Sequence, residues 1–135
     1  MFIFSKDFSK LLMIKRNDEK RKKYGFDWGV VGGKVEPGEM VIEAGVREAK
    51  EEIGVALRPE QLKFLHYEHM IEYDKKAPGF VHIIFFYSVV LDENEKITLN
   101  DESDEFRWFP VKKLPTSIID GERIDHIVEQ AKRQT

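Results

Sequence analysis

Gly33 to Val55 reads GKVEPGEMVIEAGVREAKEEIGV, and the fold turns on what these residues form. From Met40 onward, Ile42, Gly45 with Val46, Ala49 and Ile53 recur at helical spacing. Gly54 stands where a left-handed C-terminal cap is expected, because glycine adopts that conformation without a Cβ penalty. The pattern predicts a helix from about Met40 to Glu52, in which Gly45 costs about 1 kcal/mol relative to alanine. Each residue advances about 100° around a helix, so Glu48, Glu51 and Glu52 fall within roughly 100° of arc and share one face. A solvated acidic face is the ordinary outcome for such a cluster, but two stability rules count against it here. Like charges at helical neighbour spacing, as in Glu48 and Glu52, repel by about 0.2 to 0.5 kcal/mol. Glu51 and Glu52 also occupy the last turn, where the helix dipole disfavours negative charge by about 0.3 to 1 kcal/mol. Arg47 and Lys50 relieve part of this. Rules broken together mark a functional site, and a hard divalent cation held by carboxylate oxygens converts the repulsion into ligation.

Upstream, Trp28 to Val31 is a brief apolar segment closed by Gly32-Gly33, the signature of a strand running into a tight loop. Before it, Leu11 to Ile14 reads as a buried strand, after the turn-like Lys6 to Lys10, and Asn17 to Lys23 as a polar loop. Downstream, Leu62 to Tyr73 and Phe80 to Leu91 are rich in aromatic and β-branched residues. Asp74 to Gly79 separates them with turn chemistry, so they are expected to be neighbouring antiparallel strands. In the second, Phe80, Ile84 and Phe86 alternate with Val81, Ile83 and Phe85, which predicts a central strand covered on both faces. Asp92 to Glu105 is an acidic connection holding a short strand at Ile97-Thr98-Leu99. Phe106 to Val111 is one further strand, and Ile124, Ile127, Val128 and Ala131 mark an amphipathic terminal helix. One helix early and one late among strands predict an α/β fold with a mixed sheet between helices.

A chain of 135 residues suits one domain over residues 1 to 135. With 41% hydrophobic and 35% charged residues it has the balance of a globular protein. A net charge of −3 argues against a DNA partner. The absence of cysteine excludes disulfides and thiol chemistry and is compatible with a reducing cytosol, so the expected location is cytoplasmic. Charges at Lys6 and Asp7 break the apolar N-terminus before a signal-peptide core forms. The longest apolar stretch, Val81 to Leu91, is about half of the roughly 20 residues that a membrane span needs.

Spacing adds a second argument. Gly33, five residues, Glu39, seven residues and then Arg47-Glu48-Ala49-Lys50-Glu51-Glu52-Ile53-Gly54-Val55 reproduce the complete Nudix box. Over that box, about a sixth of the chain, the sequence resembles the Nudix hydrolase family, and the flanking strand order is similar to the family's α/β/α sandwich. The resemblance implies that Glu48, Glu51 and Glu52 bind Mg²⁺ or Mn²⁺, with the Gly32 carbonyl as a further oxygen ligand. It also implies cleavage of a phosphoanhydride bond by an attacking water, with Glu48 or Glu51 as base and Arg47 orienting a box glutamate. Glu102, six residues before Trp108, matches the place where similar proteins supply a late carboxylate, with Asp101, Asp104 and Glu105 as rivals. Glu39 opens the helix, where the dipole alone favours it. The family's usual proline before the paired glycines is missing.

The implied substrate is a nucleoside triphosphate, oxidised forms included, or another nucleoside diphosphate derivative. Nucleotide sugars, ADP-ribose and RNA 5′ ends are the alternatives, and a sensor that binds nucleotide without turnover is a different class. The implied partner is therefore a small nucleotide-type molecule, with no membrane association and a monomeric or homodimeric state. Phe26, Trp28, Phe80, Tyr87 and Trp108 are candidates to stack on a base, Trp28 and Phe80 foremost. Gly33 and Lys34, opening the box, are the other substrate-binding candidates. The basic run Lys20 to Lys23 could meet terminal phosphates, although a solvated loop is its ordinary reading. His66 and His69 differ by an odd number on a predicted strand and so point to opposite faces, and His82 reads as an interior or pocket-wall residue.

Overall fold

In the computed structural model, which describes residues 1–25, 27–115 and 121–135, alternation along one strand decides the layering. Strand β2 (Lys10–Arg16) sends Leu11 and Met13 to one face of the sheet and Leu12 and Ile14 to the other, all four buried. Leu12 and Ile14 join Ile3, Val31 and Val89 in a core closed by Ala49 and Ile53 of helix α2 (Val41–Ile53). Leu11 and Met13 join Phe2, Phe4 and Leu65 in a second core closed by Ile124, Ile127, Val128 and Ala131 of helix α4 (Gly121–Arg133). Burying each such large side chain contributes about 1.5 to 3 kcal/mol. The sheet is therefore held between two helices, the α/β/α arrangement expected.

Strands β1 (Phe2–Phe4), β3 (Trp28–Gly29), β4 (Lys63–His69), β5 (Ile83–Val90) and β6 (Ser103–Pro110) complete the sheet. Its order is β3-β2-β1-β5-β4, with β6 also paired to β2. Only β1 and β5 run parallel, so the sheet is mixed. Register brings Arg16, the last residue of β2, opposite Ser103, the first of β6. Gly32, after β3, joins this region through Glu52 of the box helix, which accepts its N–H and feels the charges of Arg16 and Glu102.

Four expectations need correction, and one strand had not been foreseen. The supposed polar loop at Asn17 to Lys23 is mostly helix α1 (Asp18–Tyr24). Asn17 caps it by accepting from the Lys20 N–H at 2.8 Å, Asp18 and Glu19 suit its first turn and Arg21 to Lys23 its last. The first of the two long strands stops at His69, and Ile71–Lys76 forms helix α3 instead. Propensity loses there because the ladder to β5 ends at His69 opposite Ile83, and the Asp74 carboxylate turns the chain back by accepting from the His82 N–H at 2.8 Å. The β5 strand does lie between two others, but β1 reaches only Ser88 to Val90. Ile83, Ile84 and Phe85 are consequently exposed on both faces rather than covered. Ile97-Thr98-Leu99 is no strand; the Thr98 N–H instead donates to the Ile53 carbonyl at 2.8 Å and anchors the end of α2. Finally, Phe2–Phe4 is a strand in its own right. Among the described residues no helix is long and apolar enough to cross a membrane.

Candidate active site

Helix α2 begins at Val41 with Met40 as its N-cap, so Glu39 precedes the helix rather than opening it, and the helix ends at Gly54 in the left-handed conformation, φ 69°. Its three carboxylates share a face, as the spacing predicts, but at graded depth. Glu52 is 7% exposed. Its Oε2 accepts the Gly32 N–H at 2.9 Å, so the glycine ahead of the box that was expected to offer its carbonyl is tied to the cluster through its amide. The Glu48 carboxylate lies against Gly33, where a side-chain methyl would collide with it. Glu51 is exposed.

Arg47 organises this face. Its Nε donates to Glu39 Oε2 at 2.8 Å and its Nη2 to Glu39 Oε1 at 3.0 Å, a bidentate fork. Nη1 donates to Glu48 at 2.9 Å and to Glu51 at 3.1 Å, and Nη2 also donates to the Lys34 carbonyl at 2.8 Å. Glu39 additionally accepts the Glu36 N–H at 2.9 Å. These bonds pin the loop from Lys34 to Glu39 onto α2, and they account for Glu39 structurally. Arg47 holds the Glu39 carboxyl below the usual glutamate range, and Glu39 in turn raises the affinity of Arg47 for its proton. Lys34 contributes its carbonyl, with its side chain exposed.

The deeper carboxylates behave differently. Burial pushes Glu52 up to about 7, against the Gly32 N–H, with the charges of Glu48 and Glu102 adding to the rise and Arg16 opposing it. Burial also raises Glu48, against Arg47, with Glu51 and Glu102 adding to the effect. The charge of Glu102 is thus felt at both Glu48 and Glu52. The Glu102 backbone carbonyl accepts the Asn17 N–H at 2.9 Å and its carboxylate lies 3.9 Å from Lys20 Nζ, which locks the acidic loop to α1. Among the described residues no three of these side chains converge on one point that could hold a metal. The donor set nonetheless suits one, because crowded, partly buried oxygen donors that repel one another are what a hard divalent cation neutralises.

Residues 1–129 match the family description NUDIX domain. The chain belongs to the Nudix family. It is 30% identical over 132 residues to human 8-oxo-dGDP phosphatase NUDT18, a match covering 96% of this chain and 36% of that protein. It is 30% identical over 106 residues to nucleoside triphosphatase NudI of Escherichia fergusonii, covering 76% of this chain and 74% of that one. The chain thus spans about a third of the human relative and about three quarters of the bacterial one. The MutT Nudix hydrolase of Burkholderia pseudomallei shares the fold, with a TM-score of 0.66 at 24% identity over 96% of this chain and 95% of that chain. These likenesses place the chain among the Nudix hydrolases.

Other candidates fall away from the acidic cluster of this Nudix site. Trp28 packs edge-on against Phe109 at 4.9 Å beneath Arg107, in the core on the α4 side of the sheet. Tyr87 and Trp108 pack into the core on the α2 side. Phe80 stands 71% exposed in the connection from α3 to β5. Phe26 lies outside the described residues. His66 stacks on Phe86, while His69 and His82 both bond Asp74, at 2.5 and 3.0 Å, so His82 is satisfied at a loop rather than inside the protein. Two neighbours of the cluster escaped the sequence reading, Arg16 and Asn17. The turn chemistry of Asn17 ahead of Asp18-Glu19 was a usable signal for α1. Nothing linear announced Arg16, whose charge acts on Glu52.

Proposed function

We propose that residues 1 to 135 form one catalytic domain, a divalent-metal-dependent Nudix pyrophosphohydrolase. Its substrate is a nucleoside triphosphate, oxidised forms included, or another nucleoside diphosphate derivative. The observation that carries this reading is Glu52, a nearly buried carboxylate raised to about 7 between Glu48 and Glu102. Stability alone gives no reason to keep a glutamate there.

Glu48, Glu51, Glu52 and Glu102, with the Gly32 carbonyl, would hold Mg²⁺ or Mn²⁺. When bound, the ion neutralises charge on the phosphate oxygens and lowers the pKa of an attacking water. Glu51, more exposed than Glu48 and Glu52, and Glu48 are the two candidates to take the proton from that water. Arg47 keeps both in place through one Nη1. Gly33 leaves room for the Glu48 carboxylate, and the loop pinned through the Lys34 carbonyl fixes the approach to it. The names of the two relatives, an 8-oxo-dGDP phosphatase and a nucleoside triphosphatase, support a nucleotide phosphate as the substrate class.

A chromatographic product screen with Mg²⁺ tests the reading, over normal and oxidised triphosphates and diphosphates, ADP-ribose, nucleotide sugars and dinucleoside polyphosphates. Release of a nucleoside monophosphate with the complementary phosphate product is expected from one class. Nucleotide binding without turnover of any compound would reject catalysis in favour of a sensor.

A further inference from the structure

The sheet leaves part of its α2-side face bare. On β5, alternation sets Ile83 and Phe85 on the same face as Tyr87, which packs into the core beneath α2. Phe85 pairs with Tyr67 of β4, their ring centroids 6.2 Å apart, and Tyr87 meets Phe64 edge-on at 5.6 Å. The register shift between Phe64 and His66 turns both Phe64 and Tyr67 onto this face, while Leu65 enters the core under α4. Phe64, Tyr67, Ile83 and Phe85 are all exposed, as are Phe80 and Val81 just ahead of β5. An aromatic side chain presents about 150 to 250 Å², so six apolar side chains exposed to this degree present on the order of 600 Å². The largest apolar patch of an ordinary monomer is about 300 to 600 Å². One side of a standard interface covers about 800 Å², of which roughly 500 Å² is apolar in homodimers. The bare face is thus large enough for one half of a dimer.

The charges at its rim point to the occupant. His69, paired with Ile83 and so on the same face, bonds Asp74 of α3 at 2.5 Å, which holds α3 at the border of the patch. Helix α3 carries Glu72 and Asp74 early and Lys75 and Lys76 late, with Glu72 and Lys75 paired at 3.2 Å. Such a rim has no positive excess, which a nucleic acid or an anionic lipid surface would require. Acid first and base last matches the same surface turned about a two-fold axis, where antiparallel α3 helices set the acids of one chain against the lysines of the other. Strand addition is not the mode, because Gln130 and Gln134 of α4 donate to the Leu65 and Phe64 carbonyls of the edge strand β4 at 2.8 and 3.2 Å. We propose that the exposed face of the β4–β5 hairpin joins two copies of this chain in a two-fold dimer, with Tyr67 and Phe85 at its centre and α3 at its rim.

Sedimentation equilibrium of the full chain tests this without nucleotide or metal. The parent protein should show twice the mass of the chain at micromolar concentration. Tyr67→Lys places an unpaired charge in the interface twice and should raise the dissociation constant at least about 100-fold, with unchanged circular dichroism because the side chain is exposed. Phe106→Lys makes a similar change on β6, which pairs with β2 at the other side of the sheet, and should leave the dimer intact. A monomeric parent protein, a dimer that survives Tyr67→Lys, or equal loss from the Phe106 change would overturn the proposal. Should the Tyr67 variant fail to fold, hydrogen exchange of the parent protein gives the answer, since amides of β4, α3 and β5 should gain protection as concentration rises. No such gain would overturn it as well, and a monomeric parent protein that binds phosphatidylcholine vesicles would give the face to a membrane instead.

Discussion

Glu52 is where stability and function pull apart. The carboxyl ionises near 4.5 in the unfolded chain and near 7 in the folded one, so between those values the folded state binds more protons. Stability of the metal-free protein therefore falls as pH rises from about 4.5 to 7, by on the order of 3 kcal/mol from this group. Glu52→Gln should abolish that slope and raise the denaturation midpoint at pH 8 in a chelator, as chemical denaturation of both proteins at pH 5 and 8 will show. A wild-type protein equally stable at both would contradict the assignment. Gly33 makes the complementary case. In Gly33→Ala the three atoms nearest the new methyl all belong to the flexible end of Glu48, so the melting temperature should hardly move while turnover drops at least tenfold from the displaced carboxylate. Both residues were legible in the sequence, since glutamates that break two helix rules and a glycine at a loop entrance stand out without any structure. The depth of Glu52 and the amide bond from Gly32 were not, because burial depends on which residues of the sheet lie beneath α2.

Helices carry the next level of the account. The box helix was readable almost to the residue from its apolar spacing and the cap at Gly54, whereas α1 was taken for a loop because its residues are nearly all polar and leave no periodicity to find. Its stability comes from capping and from ties to the 101–104 segment, so Asn17→Ala should cost about 1 kcal/mol through the lost cap. It should also raise the metal concentration needed for half-maximal turnover, because Glu102 loses its tether. A Mg²⁺ titration of the variant checks this, and an unchanged metal requirement would separate α1 from the site. The Arg47 fork ties loop to helix in the same way. Arg47→Lys keeps the charge but offers only three donors on one atom, so kcat should fall about tenfold or more, with a broader pH profile as Glu48 and Glu51 lose their shared partner. The α3 segment shows why strands are harder to delimit than helices. Its first half, Ile71-Glu72-Tyr73, alternates as a strand would, and the end of the β5 ladder rules one out.

Across the whole molecule, the two cores make α2 and α4 mutually dependent through the sheet between them. One helix early and one late among strands made that layering legible, while the pairing of β6 with β2 is a contact between residues far apart in sequence that no local pattern encodes. The candidate active site thus gathers on Glu52 of helix α2, which accepts the Gly32 N–H and feels the charges of Arg16 at the end of β2 and Glu102 ahead of β6. Truncating Ile53 to alanine should cost about 2 to 5 kcal/mol and take turnover down with it when the protein melts, at a midpoint set by the core rather than by the metal. The central claim is that the carboxylates of this site act together on a phosphoanhydride with a divalent ion. Turnover of a nucleoside triphosphate by wild type and Glu52→Gln, measured side by side by ³¹P NMR over a Mg²⁺ titration, addresses it most directly. The account predicts metal-dependent cleavage by wild type and a loss of at least about 100-fold in the folded variant; equal turnover by the two proteins, or turnover indifferent to Mg²⁺, would contradict it.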